Sequence, residues 1–401
     1  MAESNLRQFQ MAPRMISRTR RLMVFLLMGL VSAVQAQVSA PSVTNVRAVQ
    51  RTGTKIVDIT YDLSHPGNLL SFVSLEVSQD GGVTYAPVTT VSGALGPGIF
   101  AGTGKAIEWR AATDWTPAVF NNVKVRVKAD DAQDMVLVPG GPFEMGYGVY
   151  TPTVTVSVSA FLMSRTEVTS RDWSYVREWG LTRGYNDLPS KEPEAKQPVA
   201  GTTWYEAVKW LNAKSEMDGL APVYFAATDR LEVYRRGNVA LTAAHVNWLS
   251  DGYRLPTDAE WEKAARGGIE RQMYATGISI SKSQADYGRY YDWGRGDIAR
   301  FSPTGYGLFD IAGSVWEWCW DFHSTILPSG ADPVGPTSGG YRIIRGGAYT
   351  SHGETSPPAD LPVLKLASRT ALSPGDPGSY RINAIRYTED VGFRIVRRVA
   401  P

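Results

Sequence analysis

Cysteine is nearly absent from this chain of 401 residues, which contains Cys319 alone. A single thiol excludes an intramolecular disulfide and excludes a metal site built from several thiolates of one chain. Histidine is also scarce, with four residues, and no two of them have the helical spacing of a zinc motif. A disulfide and a multi-thiolate metal site are therefore excluded, and no local zinc motif is indicated.

An excess of charge of one sign is missing as well, because the formal net charge is only +2. Residues 1–36 hold five arginines and one acidic residue, so the rest of the chain has 36 basic and 38 acidic residues and a net charge of −2. No basic block remains that would indicate nucleic acid or an anionic membrane surface as a partner. The oligomeric state is left open.

Long apolar runs are limited to one near the N-terminus. Arginines precede the run Leu22–Val34, which is too short to span a bilayer and ends in Val34-Gln35-Ala36. The pattern predicts a signal peptide over residues 1–36, cleaved after Ala36, with an uncleaved anchor as the alternative. No later run predicts a membrane span, so we expect a secreted, periplasmic or other cell-envelope protein.

Residues 41–130 alternate between apolar and polar side chains. Val73, Leu75 and Val77 are one example, and Asp80-Gly81-Gly82 supplies the turn that follows. Short strands at this spacing predict an all-β sandwich of the immunoglobulin or fibronectin-III type. No catalytic pattern occurs here, so the expected role is a spacer or adhesion module.

Residues 134–398 contain three short helix signals among long irregular stretches. Thr203-Trp-Tyr-Glu206 and Thr257-Asp-Ala-Glu260 have the form of capping boxes, and Thr169 or Ser170 is expected to cap a helix near Arg171–Trp179. The remaining sequence is rich in Gly, Tyr, Ser and Pro. Such long loops in a compact domain are often functional.

Six motifs in this second region carry a family resemblance. They are Val138-Pro-Gly-Gly141, Arg165-Thr-Glu-Val-Thr169, Gly252-Tyr-Arg-Leu-Pro-Thr-Asp-Ala-Glu-Trp-Glu-Lys-Ala-Ala-Arg-Gly-Gly268, Gly305-Tyr-Gly-Leu-Phe-Asp-Ile-Ala-Gly-Ser-Val-Trp-Glu-Trp318, Arg345-Gly-Gly-Ala-Tyr349 and Val391-Gly-Phe-Arg-Ile-Val-Arg397. In this order they resemble the formylglycine-generating enzyme, or sulfatase-modifying factor, family. The resemblance implies an α+β, C-type-lectin-like domain with little regular secondary structure.

The resemblance also implies a pair of cysteines that this chain lacks. Formylglycine-generating members oxidise a substrate cysteine by means of two cysteines in the C-terminal part, a soft Cu(I) site. Those positions hold Ser351 and Ser356, and Ala348 replaces the serine that follows the two glycines. A serine hydroxyl is a poor Cu(I) ligand with a pKa far above that of a thiol. We therefore expect no copper and no confident catalytic residue.

Two other kinds of metal site are considered, one that contains Cys319 and one that belongs to iron-dependent enzymes of the family. Cys319 either shares a metal with His323 or, as the pattern favours, is a buried and inert thiol. Iron-dependent sulfoxide synthases of the same family need a histidine-rich helical domain, whereas the first domain here contains only His65. That branch of the family is excluded.

Calcium is the cofactor that the resemblance leaves open. Relatives use a Gly-Asn-x-Trp-Glu stretch as a source of oxygen ligands, which here contains Ser314, Val315 and Glu317. Ser314 replaces the usual Asn, so the site loses one side-chain carbonyl oxygen as a ligand. Calcium needs six to eight oxygen ligands. The alternative for Glu317 is a buried carboxylate that accepts hydrogen bonds.

Several signature residues are candidates for a ligand groove. The set is Trp316, Trp318, Arg345, Tyr349 and His352. The alternative, which we favour, is that the tryptophans pack in the core and the arginines form ion pairs that join loops. The resulting hypothesis is a pseudoenzyme, a non-catalytic scaffold that binds an extracytoplasmic protein, peptide or glycan. An oxidase acting on a secreted substrate and a structural part of an envelope assembly are the other two hypotheses.

Overall fold

The protein is described by a computed structural model. Residues 41–65, 70–88, 90–115, 122–131, 135–147, 153–191, 196–289, 295–351, 362–378, 380–382, 385–387 and 390–399 are described. The predicted signal peptide over residues 1–36 lies outside these ranges, as do His352 and Ser356. Within them, no helix has the length and apolar character needed to cross a membrane.

The first region consists almost entirely of strands. They are β1 (Ser42–Gln50), β2 (Ile56–Ser64), β3 (Leu70–Ser78), β4 (Ala86–Pro87), β5 (Val91–Gly93), β6 (Gly96–Phe100), β7 (Gly102–Arg110) and β8 (Lys124–Asp131), with one short helix, α1 (Ala111–Asp114). One antiparallel sheet has the order β1-β2-β7-β5. In the other, β3 pairs with β4, β6 and β8, also antiparallel.

Period-two alternation explains how these two sheets share a core. Ile59 and Tyr61 of β2 are buried beside Leu75 and Val77 of β3 and Trp109 of β7, while the alternate positions remain more exposed. The predicted β-rich character of this region is therefore confirmed, as two β-sheets around one core. Its assignment to the immunoglobulin or fibronectin-III type stays a prediction.

The second region has few helices and several small sheets. Its elements are β9 (Met135–Val138), β10 (Gly141–Met145), β11 (Val154–Val158), β12 (Phe161–Ser164), α2 (Ser170–Leu181), α3 (Trp204–Met217), α4 (Asp258–Arg266), β13 (Trp316–Phe322), β14 (Gly330–Ala331), β15 (Arg342–Arg345), β16 (Thr370–Leu372), β17 (Tyr380–Ile382), β18 (Ile385–Tyr387), β19 (Val391–Gly392) and β20 (Val396–Arg398). Among the described residues, 3₁₀ turns cover Ala243–His245 and Pro362–Leu364. The sheets have the orders β10-β11-β14, β20-β12-β9, β16-β15-β13-β19 and β17-β18.

The three longer helices begin where the capping signals predict. Thr169, Thr203 and Thr257 are the N-caps of α2, α3 and α4, and each forms a reciprocal capping box with the acidic residue three positions on. Helix α4 ends at Gly267, whose φ of 60° lies in the left-handed region that glycine tolerates. These local signals therefore located the helices correctly.

Buried ion pairs join the loops of this region, as the favoured alternative for the signature arginines predicts. Arg345 is fully buried, and its Nε donates to Asp258 Oδ1 at 2.6 Å while Nη2 donates to Glu262 Oε2 at 3.0 Å. Arg254 forms two hydrogen bonds to Glu260, at 2.6 and 2.7 Å. These bonds satisfy charges that would otherwise be costly to remove from water.

We expect Arg345→Gln to destabilise the protein by about 3 kcal/mol, the lower end of the range for a broken buried ion pair, because it removes the fully buried cation that Asp258 and Glu262 share and leaves them only Arg369 and Arg266, respectively. Denaturant unfolding measures the change. Arg271→Gln is the matched control, since Arg271 is 81% exposed and pairs with Glu144 at 3.2 Å on the surface. Equal stability of the two variants would contradict the structural role assigned to Arg345.

Candidate functional site

The segment that follows β15 is the one in which the family resemblance implies two cysteines. Gly346 and Gly347 have φ values of 88° and 75°, a conformation that side-chain-bearing residues rarely adopt. A Cβ atom on Gly347 would lie 2.4 Å from Leu364 Cδ2, so the backbone also approaches its neighbour closely. The two glycines direct the chain from the buried strand into the turn that carries Ala348 and Ser351.

Ser351 holds that turn together. Its Oγ accepts a hydrogen bond from the Ala348 amide at 3.0 Å, and its own amide donates to the Ala348 carbonyl at 2.9 Å. Ala348 is fully buried. The hydroxyl at the first expected thiol position thus closes a turn, which is a structural use that needs no metal.

Neighbouring segments fix the turn from both sides. The Tyr349 amide donates to the Ser314 carbonyl at 2.8 Å, and the Gly288 amide donates to the Ser351 carbonyl at 2.8 Å. Thr350 Oγ1 donates to Asp390 Oδ2 at 2.6 Å. Burial raises the pKa of Asp390 to about 6. The segment is therefore a tightly bonded part of the domain.

The predicted groove residues lie largely inside the domain. Trp318 and Arg345 are fully buried, and Tyr349 and Trp316 are 2% and 7% exposed. Trp318 Nε1 donates to the Thr202 carbonyl at 2.6 Å. In this conformation the four side chains pack in the interior and do not form the walls of an open groove. Large rings and ion pairs supply the core here because regular secondary structure is sparse.

Glu317 is held by two partners from its own chain. Its Oε2 accepts hydrogen bonds from Trp261 Nε1 and Arg394 Nε, each at 2.7 Å, and its Oε1 accepts from Arg394 Nη2 at 2.7 Å. This agrees with the expected alternative of a buried, hydrogen-bonded carboxylate. The pairing already neutralises the charge that calcium would need, so Ser314, Val315 and Glu317 do not fit a calcium site by themselves.

Sequence reasoning missed two buried carboxyl groups near this ion pair. Neither oxygen of Glu167, nor Oδ1 of Asp310, has a hydrogen-bond partner among the described residues. Burial raises the pKa of Glu167 well above its usual range and the pKa of Asp310 to about 6. Asp310 also has a φ of 55°, which is uncommon for a residue with a side chain.

These two groups, and not Ser314, carry the unpaired buried oxygens near Glu317. Across the described residues, no group of three or more His, Cys, Asp or Glu side chains is arranged to hold a metal. Glu167 and Asp310 both lie inside signature motifs, and that position was the only signal in the sequence that could have pointed to them. Whether a carboxyl group is buried away from hydrogen-bond partners cannot be read from a single sequence.

Cys319 is buried in the core, as predicted for an inert thiol. It is fully inaccessible and packs among apolar residues near α4. Burial raises the pKa of its thiol well above the ordinary value, an effect that opposes formation of the reactive thiolate. A buried neutral thiol is a poor ligand and a poor nucleophile.

We expect Cys319 to resist a thiol reagent such as 5,5′-dithiobis(2-nitrobenzoate) in the native protein and to react fully in guanidinium chloride. The physical reason is that the reagent needs a solvent-exposed thiolate. Absorbance of the released thiol product measures the reaction. Fast, stoichiometric labelling of the native protein would show that Cys319 is accessible.

The fold and the motif residues together define a sulfatase-modifying-factor-like domain. The family model "Sulfatase-modifying factor enzyme 1-like domain" matches residues 120–399. The chain therefore belongs to this family of formylglycine-generating-enzyme-like proteins.

Two relatives and one solved structure support the assignment. The "Chaperone protein LppX" of Paenibacillus barcinonensis is 31% identical over 248 residues, which cover 56% of this chain and 81% of the relative. The formylglycine-generating enzyme of Thermomonospora curvata is 30% identical over 281 residues, 59% of this chain and 89% of that enzyme. The structure of Treponema denticola variable protein 1 superposes with a TM-score of 0.52 at 28% identity, covering 66% of this chain and 95% of that chain.

Proposed function

We propose that this protein is a non-catalytic, extracytoplasmic member of the sulfatase-modifying-factor family that binds another protein through a C-type-lectin-like domain. The first domain, of immunoglobulin or fibronectin-III type, serves as a spacer or docking module. Peptides and glycans are the other ligand classes that such a scaffold accommodates.

The observation that carries the proposal is the state of the thiol positions. Ser351 uses its hydroxyl to close a turn, and Cys319, the one cysteine of the chain, is buried with a raised thiol pKa. A Cu(I) centre needs soft, deprotonated sulfur ligands. Oxidation of a substrate cysteine by the family's two-cysteine chemistry therefore has no support in this chain.

A protein ligand is favoured because one similar protein is named a chaperone. The relatives carry the names of a chaperone and of an enzyme at nearly equal identity, 31% and 30%. Retention of the scaffold with different activities agrees with the general rule that function lies in sites and not in folds.

The first domain contacts the second through aromatic rings, which supports its docking role. The Phe72 ring lies 4.6 Å from the Arg165 guanidinium, and the Phe100 ring lies 5.2 Å from both Arg171 and Lys196. Cation–π contacts of this kind contribute about 0.5–1 kcal/mol each at exposed sites. The predicted signal peptide supports a location outside the cytoplasm.

We expect the purified protein to contain no stoichiometric copper or iron and to leave the thiol of a sulfatase-derived cysteine peptide unchanged in the presence of Cu(I) and oxygen. Elemental analysis and mass spectrometry of the peptide are the measurements. The Thermomonospora curvata enzyme is the positive control. Conversion of the peptide would overturn the non-catalytic part of the proposal.

The same preparation tests the protein-binding part. We expect equimolar protein to reduce the light scattering of reduced, refolding lysozyme, because a binding scaffold withdraws aggregation-prone chains from solution. Serum albumin at the same concentration controls for crowding. Scattering equal to that of the albumin control would overturn the assignment of a protein ligand.

A further inference from the structure

A cleft of about 410 Å³ opens on the second domain, away from the Arg345–Ser351 segment in sequence. Its walls include Phe161, Trp248, Leu249, Asp332, Val334 and Arg398, and we call it the Trp248 cleft. The volume lies within the range of about 300–1,000 Å³ that is typical of ligand pockets. None of the groove residues predicted from the signature motifs lines it.

One side of the Trp248 cleft is apolar and open to solvent. Leu249 is 74% exposed, so its side chain offers apolar surface at the edge of the cleft. The Trp248 ring is partly buried and packs edge-to-face on Trp320 at 5.6 Å, with the Arg254 guanidinium also at 5.6 Å. These contacts hold the indole in place, so this wall is pre-formed.

Three of the four charged side chains at the Trp248 cleft already have strong partners. Arg254 forms its two hydrogen bonds to Glu260, and both oxygens of Asp332 accept from Ser159, at 2.5 Å from its amide and 2.7 Å from its hydroxyl. The backbone of Asp332 has a φ of 43°, a conformation that is uncommon for a residue with a side chain.

Arg398 is the cation at the cleft that remains available. It is exposed at the end of β20, makes a long hydrogen bond of 3.4 Å to the Leu249 carbonyl, and has no ion pair among the described residues. Its guanidinium therefore lies beside the exposed apolar wall with most of its donors unused. Arginine in this state is suited to bidentate recognition of a carboxylate.

We propose that the Trp248 cleft docks a polypeptide segment that presents an apolar side chain next to a carboxylate. This inference rests on the proposed protein-binding function and specifies where and how the protein ligand is held. The apolar side chain covers Leu249 and Trp248, and the carboxylate pairs with Arg398. Neither contact disturbs the Arg254–Glu260 pair, which forms the rigid floor.

A peptide titration tests the docking chemistry on the full chain. The probe is acetyl-Gly-Phe-Glu-Gly-amide, followed by isothermal calorimetry, with acetyl-Gly-Phe-Lys-Gly-amide and acetyl-Gly-Ser-Glu-Gly-amide as matched controls. We expect the first peptide to bind and each control to bind at least about fivefold more weakly, since each lacks one of the two contacts. Equal binding of the three peptides, or binding of maltose in their place, would overturn the inference.

Two surface variants connect the binding to the cleft. We expect Arg398→Gln and Leu249→Ala each to weaken the binding of the first peptide by about threefold to fivefold. Arg271 is an exposed arginine elsewhere on the surface, and Arg271→Gln should leave the affinity unchanged. All three positions are exposed, so the melting temperature should not change. Unchanged affinity in both cleft variants would place the binding elsewhere.

The lysozyme scattering assay separates this inference from the proposed function. If the wild-type protein reduces scattering and the double variant Leu249→Ala/Arg398→Gln does so equally, the protein-binding function holds and the Trp248 cleft is not its site. If the double variant loses the effect, both are supported. If the wild-type protein has no effect, the proposed function fails, and the peptide titration alone decides whether the cleft binds.

Discussion

The buried ion pair between Arg394 and Glu317 is the interaction on which the second domain depends. Arg394 is completely buried and forms two hydrogen bonds to Glu317, at 2.7 Å each. It also donates to the Phe309 carbonyl at 3.1 Å and to the Ser164 and Arg165 carbonyls at 3.2 Å. One side chain near the C-terminus thus joins segments that are more than 200 positions apart.

A fold with so little regular structure needs such polar connections. Backbone carbonyls in loops lack the regular hydrogen bonds of sheets and helices, so arginine side chains donate hydrogen bonds to them. Arg342 provides a second example, because it donates to the Leu241 carbonyl at 2.6 Å and lies 3.5 Å from the Phe322 ring. Burial lowers the pKa of Arg342 to about 9, because desolvation disfavours the charged guanidinium.

The same requirement explains why the family motifs persist here without the family's two cysteines. Arg345, Glu317 and Trp318 belong to the motifs that carry the resemblance, yet all three are buried and serve the scaffold. Ser351 stands where the resemblance implies a cysteine. Its hydroxyl accepts a hydrogen bond from the Ala348 amide and stabilises the turn. The buried motif residues therefore serve the scaffold, and function in such a domain resides in a small site and not in the fold.

Local features of this protein were predictable and non-local ones were not. The N-caps at Thr169, Thr203 and Thr257 follow from residues three positions apart, and the strands of the first domain follow from alternation. The unpaired carboxyls of Glu167 and Asp310 were missed because their burial depends on segments distant in sequence. The Trp248 cleft was missed for the same reason, since residues near positions 160, 248, 333 and 398 meet only in the folded chain.

A double-mutant cycle on Arg394 and Glu317 tests the central structural claim most directly. Denaturant unfolding of Arg394→Met, Glu317→Leu and the double variant gives the three free energies of unfolding. We expect each single variant to cost about 3–5 kcal/mol, because it leaves one buried charge unpaired, and the double variant to cost clearly less than their sum. Additive costs would show that the two side chains act independently and would contradict the role given to this pair.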